Sequence, residues 1–289
     1  MNTVRWRIVV ALILVHLFVD LVCPVFLFRN SRPNFFEMIL LGICAAQVDL
    51  IAVWAVLGAG RWIIRLPTAF CLATSMWLGL VWGNRIAVPG SFDAEEALQL
   101  GEVLLGSLFA VQVPLWIARI AFHWRLKTPR NQAAAGISDN QFQIFHVMLG
   151  TSLIAVALAF GRAALPPGEL RLIPLDRQLV VLLPAIIICN FVITMPCIRV
   201  AFARWSVVFV SLILGIIYVL VVSALEITTL LAILGPAPND VWWGITSFNL
   251  GQWLTVFGTL LLLRKIGFDL HRRSRHDHST IPDSASERG

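Results

Sequence analysis

Two ionisable side chains lie one helical turn apart inside an almost wholly apolar stretch, LVHLFVDLVCPVF, residues 14–26. His16 and Asp20 are four residues apart, so a helix places them on one face. In such a pair each charge favours the other, or the two groups share one proton. The pair could relay protons, or it could be a static hydrogen bond that fixes helix packing. The sequence leaves both alternatives open.

The composition identifies the solvent around this pair. The chain of 289 residues is 58% hydrophobic and 13% charged, whereas soluble domains are about 45–50% apolar and about 25% charged. The net charge of +6 comes from Lys and Arg between apolar runs and in the C-terminal tail. That distribution is typical of membrane topology and not of a nucleic-acid-binding surface. We therefore expect the lipid bilayer as partner and no nucleic acid, with a further protein partner left open.

Eight apolar runs are long enough to cross a bilayer, which takes roughly 20 helical residues. They are residues 8–28, 35–58, 62–83, 98–122, 144–161, 178–198, 206–234 and 242–263. Because backbone polar groups in lipid must be bonded within the segment, each run should be a helix. The sequence predicts an all-α, multi-pass helix bundle. The seventh run is too long for one upright span, so it must tilt, project from the bilayer, or break near Glu226 into a re-entrant piece.

The runs divide into two sets of four. We predict a first half over residues 1–126, a linker loop over 127–143, a second half over 144–266, and a disordered basic and polar tail over 267–289. The fourth span ends in RIAFHWRLK, residues 119–127, and the eighth in KIGFDLHRR, residues 265–273. Four spans per unit would make two parallel repeats. Basic span ends can also look alike without duplication.

Basic residues predict the orientation. Eight spans put both termini on one side, which collects sixteen of the 22 Lys and Arg residues. Cytoplasmic loops attract Lys and Arg. We therefore expect both termini in the cytoplasm and the protein in the cytoplasmic membrane.

One segment carries a family resemblance. The stretch QFQIFHVMLGTSLIAVALAFGRAAL, residues 141–165, resembles a span that recurs in uncharacterised multi-pass bacterial membrane proteins. There, a polar and aromatic entry leads into a small-residue-rich helix that closes on an arginine. The resemblance implies a multi-pass protein of a bacterial cytoplasmic (inner) membrane and brings no activity with it.

Polar groups inside the spans are the candidates for chemistry, because a charge at the bilayer centre costs at least about 2.5–3.5 kcal/mol. Mirroring the first two spans about their short turn places His16 level with Gln47. Gln47 and Asp49 are about 200° apart on their helix, so one of them must address another helix. Asp49 should be protonated, hydrated, or bound to His16 or His146. The candidate intramembrane site is His16, Asp20, Gln47 and Asp49.

Motifs of membrane enzymes are missing from the sequence. It has no HExxH, no GxSxG and no GxxxxGK[ST]. Its five cysteines lie in or beside apolar runs without a zinc-binding spacing. We expect no metal and no cofactor. An intramembrane enzyme is left open as a third alternative, although it would need a cavity and a nucleophile or metal that the sequence does not display. The sequence favours a transporter or channel-like module over a non-transporting scaffold or sensor subunit, in which the same polar residues would be structural.

Overall fold

The computed structural model describes residues 3–27, 34–58, 62–89, 94–127, 192–203, 205–234 and 240–272. This part of the chain contains seven helices and two short strands. They are α1 (Thr3–Leu27), α2 (Phe35–Leu57), α3 (Trp62–Ala87), α4 (Ala94–Ala121), β1 (Trp124–Lys127), α5 (Val192–Ala201), α6 (Trp205–Leu234), α7 (Asp240–Lys265) and β2 (Asp269–Arg272).

Every described helix except α5 is long and apolar enough to cross a membrane. The most apolar windows of these six helices have mean hydropathies between 1.2 and 2.9. The protein is therefore an integral membrane protein built from apolar helices. The predicted fifth span (144–161), with His146, most of the sixth (178–198) and nearly all of the linker lie outside the described residues, so the number eight stays a prediction.

Helix α6 runs without a break through all 30 of its residues. The hydroxyls of Thr228 and Thr229 donate to the carbonyls of Ala224 and Leu225 within the same helix. The break considered near Glu226 is therefore wrong. At 1.5 Å per residue α6 is about 45 Å long, so it must tilt or project from a hydrocarbon core about 30 Å thick.

The start of α2 is fixed by a capping box. The side chain of Asn34 accepts a hydrogen bond from the backbone N–H of Glu37, and the Glu37 carboxylate accepts one from the backbone N–H of Asn34. Two N–H groups that have no partner inside the helix are satisfied in this way. The cap sets where α2 begins and hence which residues of α2 lie level with α1.

Small residues bring α1 and α3 together. Gly79 and Gly83 form a GxxxG pair on α3, and both face α1. A Cβ atom on Gly83 would collide with the backbone carbonyl of Leu21, and one on Gly79 would lie 3.1 Å from the Cβ of Asp20. Such close backbone approach is a usual way for helices to pack in lipid, where no hydrophobic force drives them together.

Helix α2 packs most closely against α7, a helix about 200 residues later in the chain. Gly42 of α2 leaves no room for a Cβ atom because the carbonyl of Phe248 occupies the space. Gly251 of α7 is closed in the same manner by the carbonyl of Ile39. This contact joins the N-terminal and C-terminal parts of the described chain.

Strands β1 and β2 pair antiparallel, with Trp124 opposite Arg272 and Lys127 opposite Asp269. The backbone enters them through left-handed residues, His123 at φ 52 and Gly267 at φ 96. We call the end of the bundle where α4 and α7 run into these strands the strand end. The all-α prediction missed this small sheet, and residues 269–272, assigned to a disordered tail, form β2.

Candidate functional site

Asp20 is held by Gln47 across the contact between α1 and α2. The Gln47 amide donates to Oδ1 of Asp20 at 2.6 Å and to the backbone carbonyl of His16 at 3.3 Å. Asp20 is 0% exposed, and its Oδ2 accepts no hydrogen bond from the described residues. The contact between Gln47 and His16 agrees with their predicted common level.

His16 does not bond to the Asp20 side chain. Its ring Nδ1 donates to the carbonyl of Leu12 at 2.8 Å, one turn earlier on the same helix. Its Nε2 has no hydrogen-bond partner within the described ranges. The predicted His16–Asp20 pair is therefore wrong, because a local carbonyl takes the imidazole and Gln47 takes the carboxyl.

Asp49 lies on the other face of α2. Its Oδ2 accepts hydrogen bonds from the Thr194 hydroxyl of α5 at 2.8 Å and from the Gln252 amide of α7 at 2.7 Å. The side chain is 0% exposed, and Oδ1 accepts no hydrogen bond in the part of the chain that the structure describes. Of the alternatives considered for Asp49, a bond to His16 is not formed.

The four predicted residues therefore divide between two places. His16, Asp20 and Gln47 meet between α1 and α2, whereas Asp49 meets α5 and α7. The prediction that Gln47 and Asp49 address different helices is confirmed. The Asp20 and Asp49 carboxyls therefore lie on opposite sides of α2, and the four candidate residues do not form one cluster.

The sequence offered little signal for the partners of Asp49. Gln252 is a polar residue within an apolar span, so the sequence alone marks it as a candidate partner. Thr194 was not, since a threonine hydroxyl in an apolar run usually bonds to its own helix backbone.

A third polar contact joins α6 and α7. Asn249 is almost fully buried and donates to the Ser223 hydroxyl at 3.0 Å and to the Glu226 carboxylate at 2.8 Å. It lies one turn before Gln252, on the side away from the strand end. Bonds of this kind between helices are worth about 0.6 to 2 kcal/mol in membranes, so this one stabilises the α6–α7 pair.

Arginines cap helix C-termini at the strand end. Arg65 donates to the carbonyls of Val56 and Gly58 at 2.9 Å, and Arg119 also donates to Val56. Arg264 donates to the carbonyl of Ala201 at the end of α5, at 3.0 Å. Positive charge at a helix C-terminus is favourable, so these arginines stabilise α2 and α5.

Among the residues that the structure describes, no group of three or more His, Cys, Asp or Glu side chains could hold a metal ion. No protein-family model, no curated protein and no solved structure matches the chain significantly. The geometry of the two aspartates is therefore the basis for proposing a function.

Proposed function

We propose that the protein is a membrane transporter or channel-like module whose working group is the Asp49 carboxyl, which carries a proton alone or in exchange for a solute. An acidic group this far from water is costly in lipid and, as a rule, marks an ion or proton pathway. Asp49 lies 8 residues before the end of α2 at Leu57, about 12 Å along the helix. One of its oxygens is held and the other accepts no bond from the described residues.

The support comes first from two matching hydrogen bonds. Arg119 donates to Val56, and Arg264 donates to Ala201, each over a separation of 63 residues. Arg264 and Ala201 lie 145 residues after Arg119 and Val56, respectively. The same 145 residues separate Asp49 from Thr194. Strand β2 also begins 145 residues after β1. We infer that the chain is duplicated, with α5, α6, α7 and β2 equivalent to α2, α3, α4 and β1.

The buried faces of the helices agree with this offset. Val111 and Leu115 of α4 are 1% exposed, and Val256 and Leu260, 145 residues later on α7, are 0% exposed. The same offset relates buried residues of α2 to buried residues of α5. The pairs are Val48 and Ile193, Ala52 and Cys197, and Val53 and Ile198.

The sheet indicates how the halves are related. If each residue is exchanged for its equivalent, the pair Trp124–Arg272 becomes the pair Asp269–Lys127, which is also formed. An arrangement that maps onto itself in this manner has a two-fold axis. Under this proposal the axis crosses the sheet at the strand end and runs through the bundle.

The observation that carries the proposal is the 2.8 Å bond between Asp49 and Thr194. These residues are equivalent under the 145-residue offset, and equivalent side chains touch only where the axis passes between them. Asp49 then lies on the axis, between the two halves and inside the bilayer. Substrate and coupling-ion sites of duplicated transporters occupy this position, since rocking of one half against the other opens it to each side in turn.

Specific contacts favour the scaffold as second candidate. Asp20–Gln47 and Asn249–Ser223 join neighbouring helices directly, and glycines close the α1–α3 and α2–α7 contacts. In a scaffold or sensor subunit, Asp49 would be one more structural hydrogen-bonding residue between helices, and the basic tail would contact lipid or a partner. The difference between the two functions is whether water reaches the axis.

We further propose eight spans in a bacterial cytoplasmic membrane, with the strand end and both termini in the cytoplasm. The support is the excess of Lys and Arg on that side of the predicted topology and the resemblance of residues 141–165 to a span of multi-pass bacterial proteins. It does not depend on the role of Asp49.

Cysteine labelling distinguishes transport from scaffolding without knowledge of the substrate. In a chain with all five native cysteines replaced by alanine, Thr194→Cys places a thiol beside Asp49. A second chain that keeps Cys23 alone places one beside Asp20, as matched control. We expect a small, charged methanethiosulfonate to label Cys at 194 at least tenfold faster than Cys23 in membranes. Equal protection of both thiols until denaturation would support the scaffold.

A further inference from the structure

Helices α5, α6 and α7 enclose a half-open groove of about 160 Å³. Its walls are almost wholly apolar. They include Cys197 of α5, Ser211, Gly215 and Tyr218 of α6, and Trp253 and Phe257 of α7. A cavity of about 150 Å³ with apolar walls accommodates a benzene ring. The groove therefore has the volume for one small aromatic or branched aliphatic group.

The aromatic wall of the groove is rigid. Trp253 and Phe257 are stacked with their centroids 5.2 Å apart and their planes 10° from parallel. Trp253 also packs against Gly215, where an added Cβ atom would collide with the indole. On the opposite wall, the Tyr218 hydroxyl donates to the carbonyl of Val192 at 2.6 Å. These contacts fix the shape of the groove instead of letting it collapse.

The groove is connected to the Asp49 carboxyl through residues of α5 and α7. Cys197 lines the groove and follows Thr194, which bonds to Asp49, by three residues on α5, so the two side chains lie on one face of that helix. Trp253 follows Gln252, whose amide is bonded to Asp49. Two residues that hold the carboxyl thus have neighbours in the groove wall.

We propose that this groove is the binding site for a small cationic amine with an apolar body, and that the ammonium group pairs with Asp49. The body occupies the apolar volume beside Trp253 and Phe257, and aromatic faces favour a nearby cation. The ammonium reaches past the Cys197 thiol to the carboxylate oxygen that accepts no bond from the described residues. The inference rests on the proposed function, since it names the solute class that Asp49 would exchange for a proton.

The charge requirement follows from the surroundings. A neutral body of the same shape would gain only burial of apolar surface in the groove. A cation would gain a charged partner in a region of low dielectric, where such an interaction is much stronger than in water. An anion would be repelled by Asp49. The site should therefore discriminate on charge more than on shape.

The experiment uses 4-fluorobenzylamine and its neutral counterpart 4-fluorobenzyl alcohol as probes. Their ¹⁹F line broadening is measured with the full chain in lipid nanodiscs, and empty nanodiscs correct for partition into lipid. We expect the amine to bind at least tenfold more tightly than the alcohol. Asp49→Asn should lower the affinity for the amine to that for the alcohol.

A second pair of variants tests the location. Ser211→Leu fills the groove and should abolish binding of both probes, whereas Thr229→Leu, on an exposed part of the same helix, should leave both unchanged. Equal affinity for the two probes, or no effect of either Asp49→Asn or Ser211→Leu, would overturn the proposal. Fast labelling of Thr194→Cys without amine binding would support the proposed hydrated path and overturn only the proposed amine site.

Discussion

Asp20 and Asp49 are almost the same by local criteria and differ in what they connect. Each is fully buried, each accepts a short bond from a glutamine amide, and each has one oxygen that accepts no bond from the described residues. Asp20 joins α1 to its neighbour in sequence, α2. Asp49 joins α2 to residues 145 and 203 positions later. Burial of a carboxyl therefore does not by itself identify a working site in a membrane; what distinguishes Asp49 is that, under the proposed duplication, it lies between the two halves.

The largest effect should come from forcing α2 and α7 apart. Gly251→Val on α7 places atoms against the backbone carbonyl of Ile39, so α2 and α7 must separate and Gln252 must leave Asp49. We expect a loss of about 3 kcal/mol or more, at the upper end of overpacking effects, measured by denaturant titration in mixed micelles.

The control for this substitution is on the same helix. Gly258→Val introduces the same side chain where a Cβ atom meets nothing within 4 Å, so its effect should stay within about 0.5 kcal/mol. Equal effects of the two substitutions would mean that the close α2–α7 contact does not stabilise the fold.

Removal of the Asp49 carboxyl should lower the free energy of unfolding more than removal of the Asp20 carboxyl. Asp49→Leu leaves two donors, Thr194 and Gln252, without their acceptor, and Asp20→Leu leaves one, Gln47, which keeps a longer bond to His16. An unsatisfied buried group costs about 1–3 kcal/mol. We expect losses of roughly 2–6 kcal/mol for Asp49→Leu and roughly 1–3 kcal/mol for Asp20→Leu in the same titration. A larger loss for Asp20→Leu would mean that the Asp20 contact contributes more to stability than the Asp49 contact.

Among the substitutions of polar residues, the smallest effect should be that of His16→Leu. The imidazole bonds only to its own helix within the described chain, so its removal should change the free energy of unfolding by less than about 1 kcal/mol. Proton movement through the reconstituted protein should be unchanged. A clear loss of proton movement would mean that His16 takes part in it. The site between α1 and α2 would then be functional as well as the site at Asp49.

Much of the fold follows from the sequence because lipid imposes strict rules. Apolar runs of membrane length predicted the six long helices, and the mirror rule placed Gln47 beside His16. The same reasoning failed at Glu226, since a polar residue near water need not interrupt a helix whose backbone bonds are intact. It also failed at Trp124–Lys127 and Asp269–Arg272, because a four-residue strand has no periodic signal and these two pair only when distant parts of the chain meet.

The site was harder to predict than the spans. Helical spacing showed that His16 and Asp20 share a face, yet it could not show that the backbone and Gln47 would satisfy them separately. The partner of Asp49 required the relative placement of α2, α5 and α7. Under the proposed duplication, the 145-residue offset makes Thr194 the equivalent of Asp49 and so explains why the two side chains meet. That offset is found only when hydrogen bonds, strands and buried faces are compared together.

The most direct test of Asp49 as the working carboxyl is proton uptake by reconstituted liposomes. A potassium diffusion potential set by valinomycin drives protons inward, and a trapped pH-sensitive dye reports them. We expect wild type and Asp20→Asn to exceed protein-free liposomes, and Asp49→Asn, which keeps a hydrogen-bond acceptor but no ionisable group, to fall to their level. Uptake that survives Asp49→Asn, or that is lost in Asp20→Asn instead, would contradict the account.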